Sequence, residues 1–179
     1  PARRAGRRPS SGVPARRLGW AFAANTTVIV LGQLLALRFI PGRSRTRLLA
    51  LAALIWSVAW LVVAMTGRVD GAAAVGFAVV GLGLFGIGET VWAPVVPALV
   101  NDLAPEHLRG RYNAALSMVW TTASVLGPAT AGLLLGNGRA GLWVAATVGG
   151  TGVASLLFVR LRRHLTPRAD GRGRTVTDE

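Results

Sequence analysis

Five apolar stretches, residues 18–38, 48–67, 71–100, 112–137 and 140–159, alternate with short segments that hold nearly all of the charge. Each reaches roughly the 20 residues that a helix needs to cover a hydrocarbon core of about 30 Å, whereas a buried helix of a soluble domain is usually shorter and amphipathic. None alternates apolar with polar positions over about ten residues, the pattern of a barrel strand. Backbone pairing inside lipid admits only helices or closed barrels, so helices are predicted. The expected fold class is an all-α integral membrane protein. A five-helix bundle fills 18–160, with a basic segment 1–17 before it and a basic cytoplasmic tail 161–179 after it.

Arginine placement gives these helices their directions. Arg38, Arg43, Arg45 and Arg47 follow the first stretch, Arg109 and Arg111 follow the third, and six more lie from Arg160 to Arg174. The opposite loops hold Arg68 and Arg139 alone, so the positive-inside rule predicts the larger group and the C-terminus in the cytoplasm. Trp20 and Trp143 then fall near the outer interface and Tyr112 near the inner one, while Trp56, Trp60, Trp92 and Trp120 lie deeper, where packing is the expected role. Residues 1–17 break the pattern, because they carry six arginines and an odd number of helices ending inside puts them outside. They read as a misread piece of a longer chain whose upstream part is missing, or as a disordered arm of no fixed role. An even number of helices in the parent removes the conflict.

Composition sharpens this picture. Half of the residues are hydrophobic (52%) and the net charge is +13. In a soluble domain that balance points to nucleic acid; here anionic phospholipid headgroups and topology account for it, and no nucleic-acid partner is expected. The chain has no Cys, which excludes a disulfide framework, thiol catalysis and a cysteine metal site. Every basic residue is Arg, which hints at a GC-rich bacterial genome and concerns codons alone; the expected location is a bacterial inner membrane.

Glu89 is the ionisable side chain that interrupts an otherwise apolar helix, roughly 17 Å before its cytoplasmic end. A carboxylate at that depth costs several kcal/mol unless protonated, paired or facing water, so it is the first functional candidate. The alternative is structural: hydrogen bonds from Glu89 that hold a neighbouring helix. Gly86 and Ala93 leave small surfaces beside it, and Pro94 and Pro97 each remove a backbone hydrogen bond, so a kink is expected. Gly81, Gly83 and Gly86 match a dinucleotide-binding spacing formally, but mid-helix in lipid they fit close helix packing instead. In the fourth stretch Ser117, Thr121 and Ser124 share one face beside Trp120; they line a solute path or bond their own backbone. Asn25, with Thr26 and Thr27, admits the same two readings. Gly127 and Pro128 should bend the fourth helix.

The pair Gly88-Glu89, then Pro94, then Asp102-Leu103-Ala104-Pro105 and Arg109-Gly110-Arg111-Tyr112-Asn113 run in an order similar to helix 10 and the following loop of bacterial drug and sugar exporters. That loop, with Pro105 and Glu106 suited to a helix start, reads as a short interfacial helix. Over about residues 12–164 the chain resembles the second half of a major facilitator superfamily transporter, its spans corresponding to helices 8 to 12 of a twelve-helix parent. Gly32, Arg38, Gly42, Arg43 and Arg45 are similar to the loop signature between helices 8 and 9, with Ala36 or Leu37 where its Asp would fall. Gly127, Pro128 and Gly132 are similar to the antiporter motif, with Ala123 and Ala131 in place of two glycines.

The resemblance implies alternating access between two six-helix halves, one of them missing here, with helices 8, 10 and 11 lining the cavity. Glu89 would serve proton coupling or interhelix gating. Asn25, Trp92, Ser117, Trp120 and Thr121 would line the path of a small solute, a drug-like compound or a sugar, in proton-coupled export. Asp102, Pro105, Arg109, Gly110 and Arg111 form the cytoplasmic-loop motif. No cofactor or metal is implied. His107 and His164 are isolated and Asp102 with Glu106 has no metal-binding partner set, which speaks against an enzyme. The competing class is a stand-alone membrane interaction or assembly protein, its helices docked on a partner and its basic tails on anionic lipid.

Overall fold

Helix dominates the computed structural model, which describes residues 32–33 and 38–172. Helix α1 is Arg45–Ala64, α2 Gly71–Leu103, α3 Arg109–Gly136 and α4 Ala140–Leu161. All four are long and apolar enough to cross a membrane. The predicted span 18–38 lies outside the described residues except at positions 32, 33 and 38, which are helical.

Local chemistry sets the helix boundaries. Pro41 and Gly42 (φ 74°) form a tight turn in which the Arg43 N–H donates to the Ile40 carbonyl at 3.1 Å. Ser44 then caps α1, its Oγ accepting from the Arg47 N–H at 3.4 Å. At the far end of α3, Gly138 takes φ 69°, its N–H donates to Leu135 and the Arg139 N–H donates to Leu134 at 2.8 Å. This paired closure of the last carbonyls is what a left-handed glycine allows, and it turns the chain straight into α4. Between α2 and α3 the expected interfacial helix is only the 3₁₀ turn Glu106–Leu108. Pro105 precedes that turn and its carbonyl closes it on the Leu108 N–H, so Arg109 already opens α3 and no separate helix has room to form.

Helix α2 runs unbroken through Pro94 and Pro97 for 33 residues, about 50 Å. That exceeds the hydrocarbon thickness, so the helix must tilt or protrude. Unbroken too is α3 at Pro128.

Packing centres on α1, which lies against both α2 and α4. Apart from Leu49 near its start, its buried positions, among them Ala50, Ala52, Ala53, Ser57 and Ala59, are small. In lipid, where burial of apolar surface supplies no drive, such faces let helices approach closely and gain dispersion contacts. Gly81 sits against Val63 and Gly88 against the Trp56 indole, whereas Gly83 and Gly86 face open space. Of the three glycines expected to mediate close packing, only Gly81 does so; the interval of two helical turns to Gly88, not the spacing to Gly83 or Gly86, matches the α1 face. The Ser57 and Thr151 hydroxyls meet at 2.6 Å, and Ser155 Oγ donates to the Ala50 carbonyl at 2.9 Å, fastening α4.

Aromatic rings fill the junction of these three helices. Trp92 lies 5.1 Å from Trp56 and 5.8 Å from Phe158; Trp60 meets Phe85 and Trp143 edge-on. Below them Leu49, Val95, Val96 and Leu99 form a buried cluster toward the arginine-rich end. Helix α3 contributes no buried residue, and Met118, Val119 and Leu133 along it are about two-thirds exposed.

Replacing Gly88 with Val should lower the stability of the chain by about 1–3 kcal/mol, because the Trp56 ring cannot withdraw from a packed interface. Gly83→Ala should leave it unchanged or slightly raised, since nothing lies within 4 Å of the added methyl. Thermal unfolding in detergent of the two variants beside the parent chain checks both.

Candidate functional site

The chemistry-bearing residues divide between the middle of the α2 and α3 spans and the arginine-rich end. On α2 the packed face is made by Gly81, Gly88, Val95 and Leu99, whose spacings of seven and four return to one side of the helix. Glu89 is a third of a turn from Gly88 and is exposed. Among the described residues no donor and no cation reaches its carboxylate. Open space at Gly86 leaves a notch one turn away, and Thr90 Oγ1 donates back to the Gly86 carbonyl at 2.7 Å. Gly32, from the first predicted span, approaches Thr90 so closely that an added Cβ would stand 3.1 Å from its hydroxyl. Glu89 is thus on a flank of α2, one position from Thr90.

On α3, Ser117, Trp120, Thr121 and Ser124 are all exposed. Thr121 Oγ1 donates to the Ser117 carbonyl and Ser124 Oγ to the Trp120 carbonyl, both at 2.9 Å. These hydroxyls therefore satisfy themselves on their own helix and present only their lone pairs outward. Trp92 stands apart from them, in the aromatic junction with Trp56 and Phe158, with its Nε1 buried and without an acceptor among the described residues. Asn25 lies outside the described residues.

At the arginine-rich end a network joins α1, α2, α3 and the tail. Arg45 is largely buried, and its Nη1 donates to Asp102 Oδ2 at 2.6 Å, to the Ala98 carbonyl at 3.2 Å and to the Ala169 carbonyl at 3.5 Å. A cation at the last turn of α2 also complements the negative end of that helix. Asn113 Nδ2 donates to Asn101 Oδ1 at 2.8 Å, tying the start of α3 to the end of α2. Arg109, Gly110 and Arg111 are exposed beside it.

Asp170 is fully buried although it belongs to the tail. Its carboxylate accepts from Ser44 Oγ at 2.6 Å, Thr46 N–H at 2.9 Å and Thr46 Oγ1 at 2.8 Å, and its own carbonyl accepts from the Arg45 N–H at 2.8 Å. Arg172 Nε stands 3.0 Å from the carboxylate without aiming its N–H at it, and Arg162 Nε stands at 4.0 Å, so both act as charges more than as directed donors. Burial pushes the Asp170 carboxyl up, but the bonds from Ser44 and Thr46 and the Arg172 charge outweigh it and hold the group below its ordinary value. Sequence reading missed Asp170, Ser44 and Thr46 because their partners are 124 or 126 residues apart. The only local signal was Ser-x-Thr at the start of an apolar run. Among the described residues no three His, Asp or Glu side chains group closely enough to hold a metal ion.

Four packed apolar helices with a charged network at one end define a multi-pass membrane protein. The family model of the Major Facilitator Superfamily matches residues 10–177, and the chain belongs to that family of membrane transporters. No curated protein and no solved structure matches it.

A native carboxyl held low contributes stability that is present above its ordinary value of 3.8 and lost as pH falls through the lowered one. Amide-exchange protection at Thr46 should therefore persist from neutral pH down to about pH 4 and fall away in stronger acid. In Asp170→Ala, protection at neutral pH should already be reduced at least tenfold, equivalent to roughly 1.4 kcal/mol or more, with the acid-dependent step gone.

Proposed function

We propose that this chain is the helix 8 to 12 portion of a secondary active transporter that exports a small solute, drug-like or sugar, in exchange for protons by alternating access. The observation that carries the reading is Glu89: a carboxyl in the middle of a membrane-spanning helix, exposed and without a partner among the described residues. Facing hydrocarbon, such a group costs several kcal/mol in its charged form; facing a water-filled cavity, it takes up and releases a proton at little cost. The flank of Glu89 therefore belongs against a cavity or a second protein half.

Helix α3 supports the same arrangement. A helix with no buried residue and a face of Ser117, Trp120, Thr121 and Ser124 is built to meet something beyond this bundle. The missing N-terminal half of the transporter would complete the cavity between α2, α3 and the first predicted span, where Asn25 would lie. Three hydroxyls, those of Thr121 and Ser124 already bonded to their own helix, an indole and one carboxyl make a mostly apolar lining with few polar anchors, which suits amphiphilic solutes.

The charged end fits the cytoplasmic side, as its arginine excess requires under the positive-inside rule. There the Arg45–Asp102 pair, largely buried on the arginine side and reinforced by the Ala98 carbonyl, would hold the α1 and α2 ends together in one state of the cycle. Breaking it strands a partly buried charge, so the two states would be discrete rather than graded.

Glu89→Gln in the restored two-half protein should abolish proton-linked transport, at least a hundredfold in rate, while leaving expression and unfolding temperature close to the parent. Solute uptake into everted vesicles under an imposed pH gradient is the measurement. Undiminished gradient-driven transport by the variant would remove Glu89 from the coupling step.

A further inference from the structure

Beside the Asp170 junction a cavity of about 390 Å³ opens between the Pro41–Arg43 turn, the start of α1 and the tail. It is lined by Arg43, Arg47 and Arg172 together with Leu48 and Leu51, and by Gly42 and Ser44. We propose that this cavity binds the phosphate of an anionic phospholipid whose acyl chain lies along α1.

Three features of the fold carry the proposal. First, the cations are held there by construction. Gly171, at φ 77°, sits close enough to the loop that an added Cβ would stand 3.2 Å from the Arg43 carbonyl. That contact, with the buried Asp170 next to it, sets Arg172 beside Arg43 and Arg47. Second, the charge is not spent internally. Asp170 offsets Arg172 from behind, but among the described residues no carboxylate lies within ion-pair distance of Arg43 or Arg47, and both are exposed. Two uncompensated guanidiniums around a concave space form an anion site, and guanidinium forks match phosphate oxygens.

Third, the apolar wall does not end at the cavity. Leu51, Leu54, Val58 and Leu61 recur at helical spacing and are each about half exposed, so they extend one apolar stripe from the mouth of the cavity toward the far side of the membrane. Neither α2 nor α4 covers it. A free phosphate would need the arginines but not the stripe; an acyl chain would need the stripe but not the arginines. An anionic phospholipid needs both, with its headgroup at the level where α1 enters the bilayer.

The test is native mass spectrometry of the full chain in detergent, titrated with phosphatidylglycerol or phosphatidylcholine of identical acyl chains. Phosphatidylglycerol should bind at least tenfold more tightly, and Arg43→Gln with Arg47→Gln should remove that preference. Neither side chain supports the fold, and an unchanged circular dichroism spectrum confirms it. The control pair Arg109→Gln with Arg111→Gln takes the same charge from another loop at the same end and should leave the preference intact. Equal loss in the control would reduce the effect to general attraction and overturn the site. Equal binding of the two lipids would overturn it as well, and full competition by glycerophosphate would replace it with a site for a free phosphate.

Discussion

Helix association in lipid has no water to drive it, and the close approach of α1 to its two neighbours is the constraint from which the rest of this structure follows. Alanines and Ser57 on α1 meet Gly81 and Gly88 on α2, and the Ser57–Thr151 and Ser155–Ala50 bonds fasten α4 on the other side. Backbone proximity of this kind concentrates dispersion contacts and lets short hydroxyl side chains reach across. Once α1 is enclosed on two sides, the orientation of α2 is set by its glycines. Glu89, one position beyond Gly88, is then turned away from the bundle. The aromatic junction of Trp56, Trp92 and Phe158 fills what the small residues leave open and resists any rotation of α2 that would bring the carboxyl inward.

At the arginine-rich end a different force takes over. Ser44, Thr46, Arg45 and Asp102 draw the start of α1, the end of α2 and the tail into one polar junction with Asp170 at its centre. Each member satisfies another: the carboxylate supplies acceptors to the first turn of α1, and Arg45 donates to the Ala98 carbonyl and the Asp102 carboxylate near the end of α2. A buried carboxylate with three donors and two nearby guanidiniums is stable in place and costly to break one partner at a time. The junction thus acts as a unit.

Much of this was legible in the residues. Charge-free runs of helical length gave four spans close to their observed limits, for the reason that lipid allows an unpaired backbone nowhere along them. Family membership was legible in Gly88-Glu89, Pro94 and the loop from Asp102 to Asn113, and the match over residues 10–177 agrees with it. Legibility failed where local cues are ambiguous. Gly81, Gly83 and Gly86 look alike in sequence, yet which glycine packs depends on which side of α2 meets α1. The turn at Glu106–Leu108 carries helix-start residues, yet the length between α2 and α3 leaves no room for a helix.

By itself, then, the sequence determined the solvent in which this chain folds, the presence of long apolar helices and the singular position of Glu89, since each depends only on composition along a segment. Only the tertiary structure decided which faces of those helices are buried, that Arg45 pairs with Asp102 and that Asp170 returns to the start of α1. These choices join residues 57 to 126 positions apart. No periodicity in a single segment records such a pairing, because its energy exists only once distant helices have been brought within a few ångströms of one another.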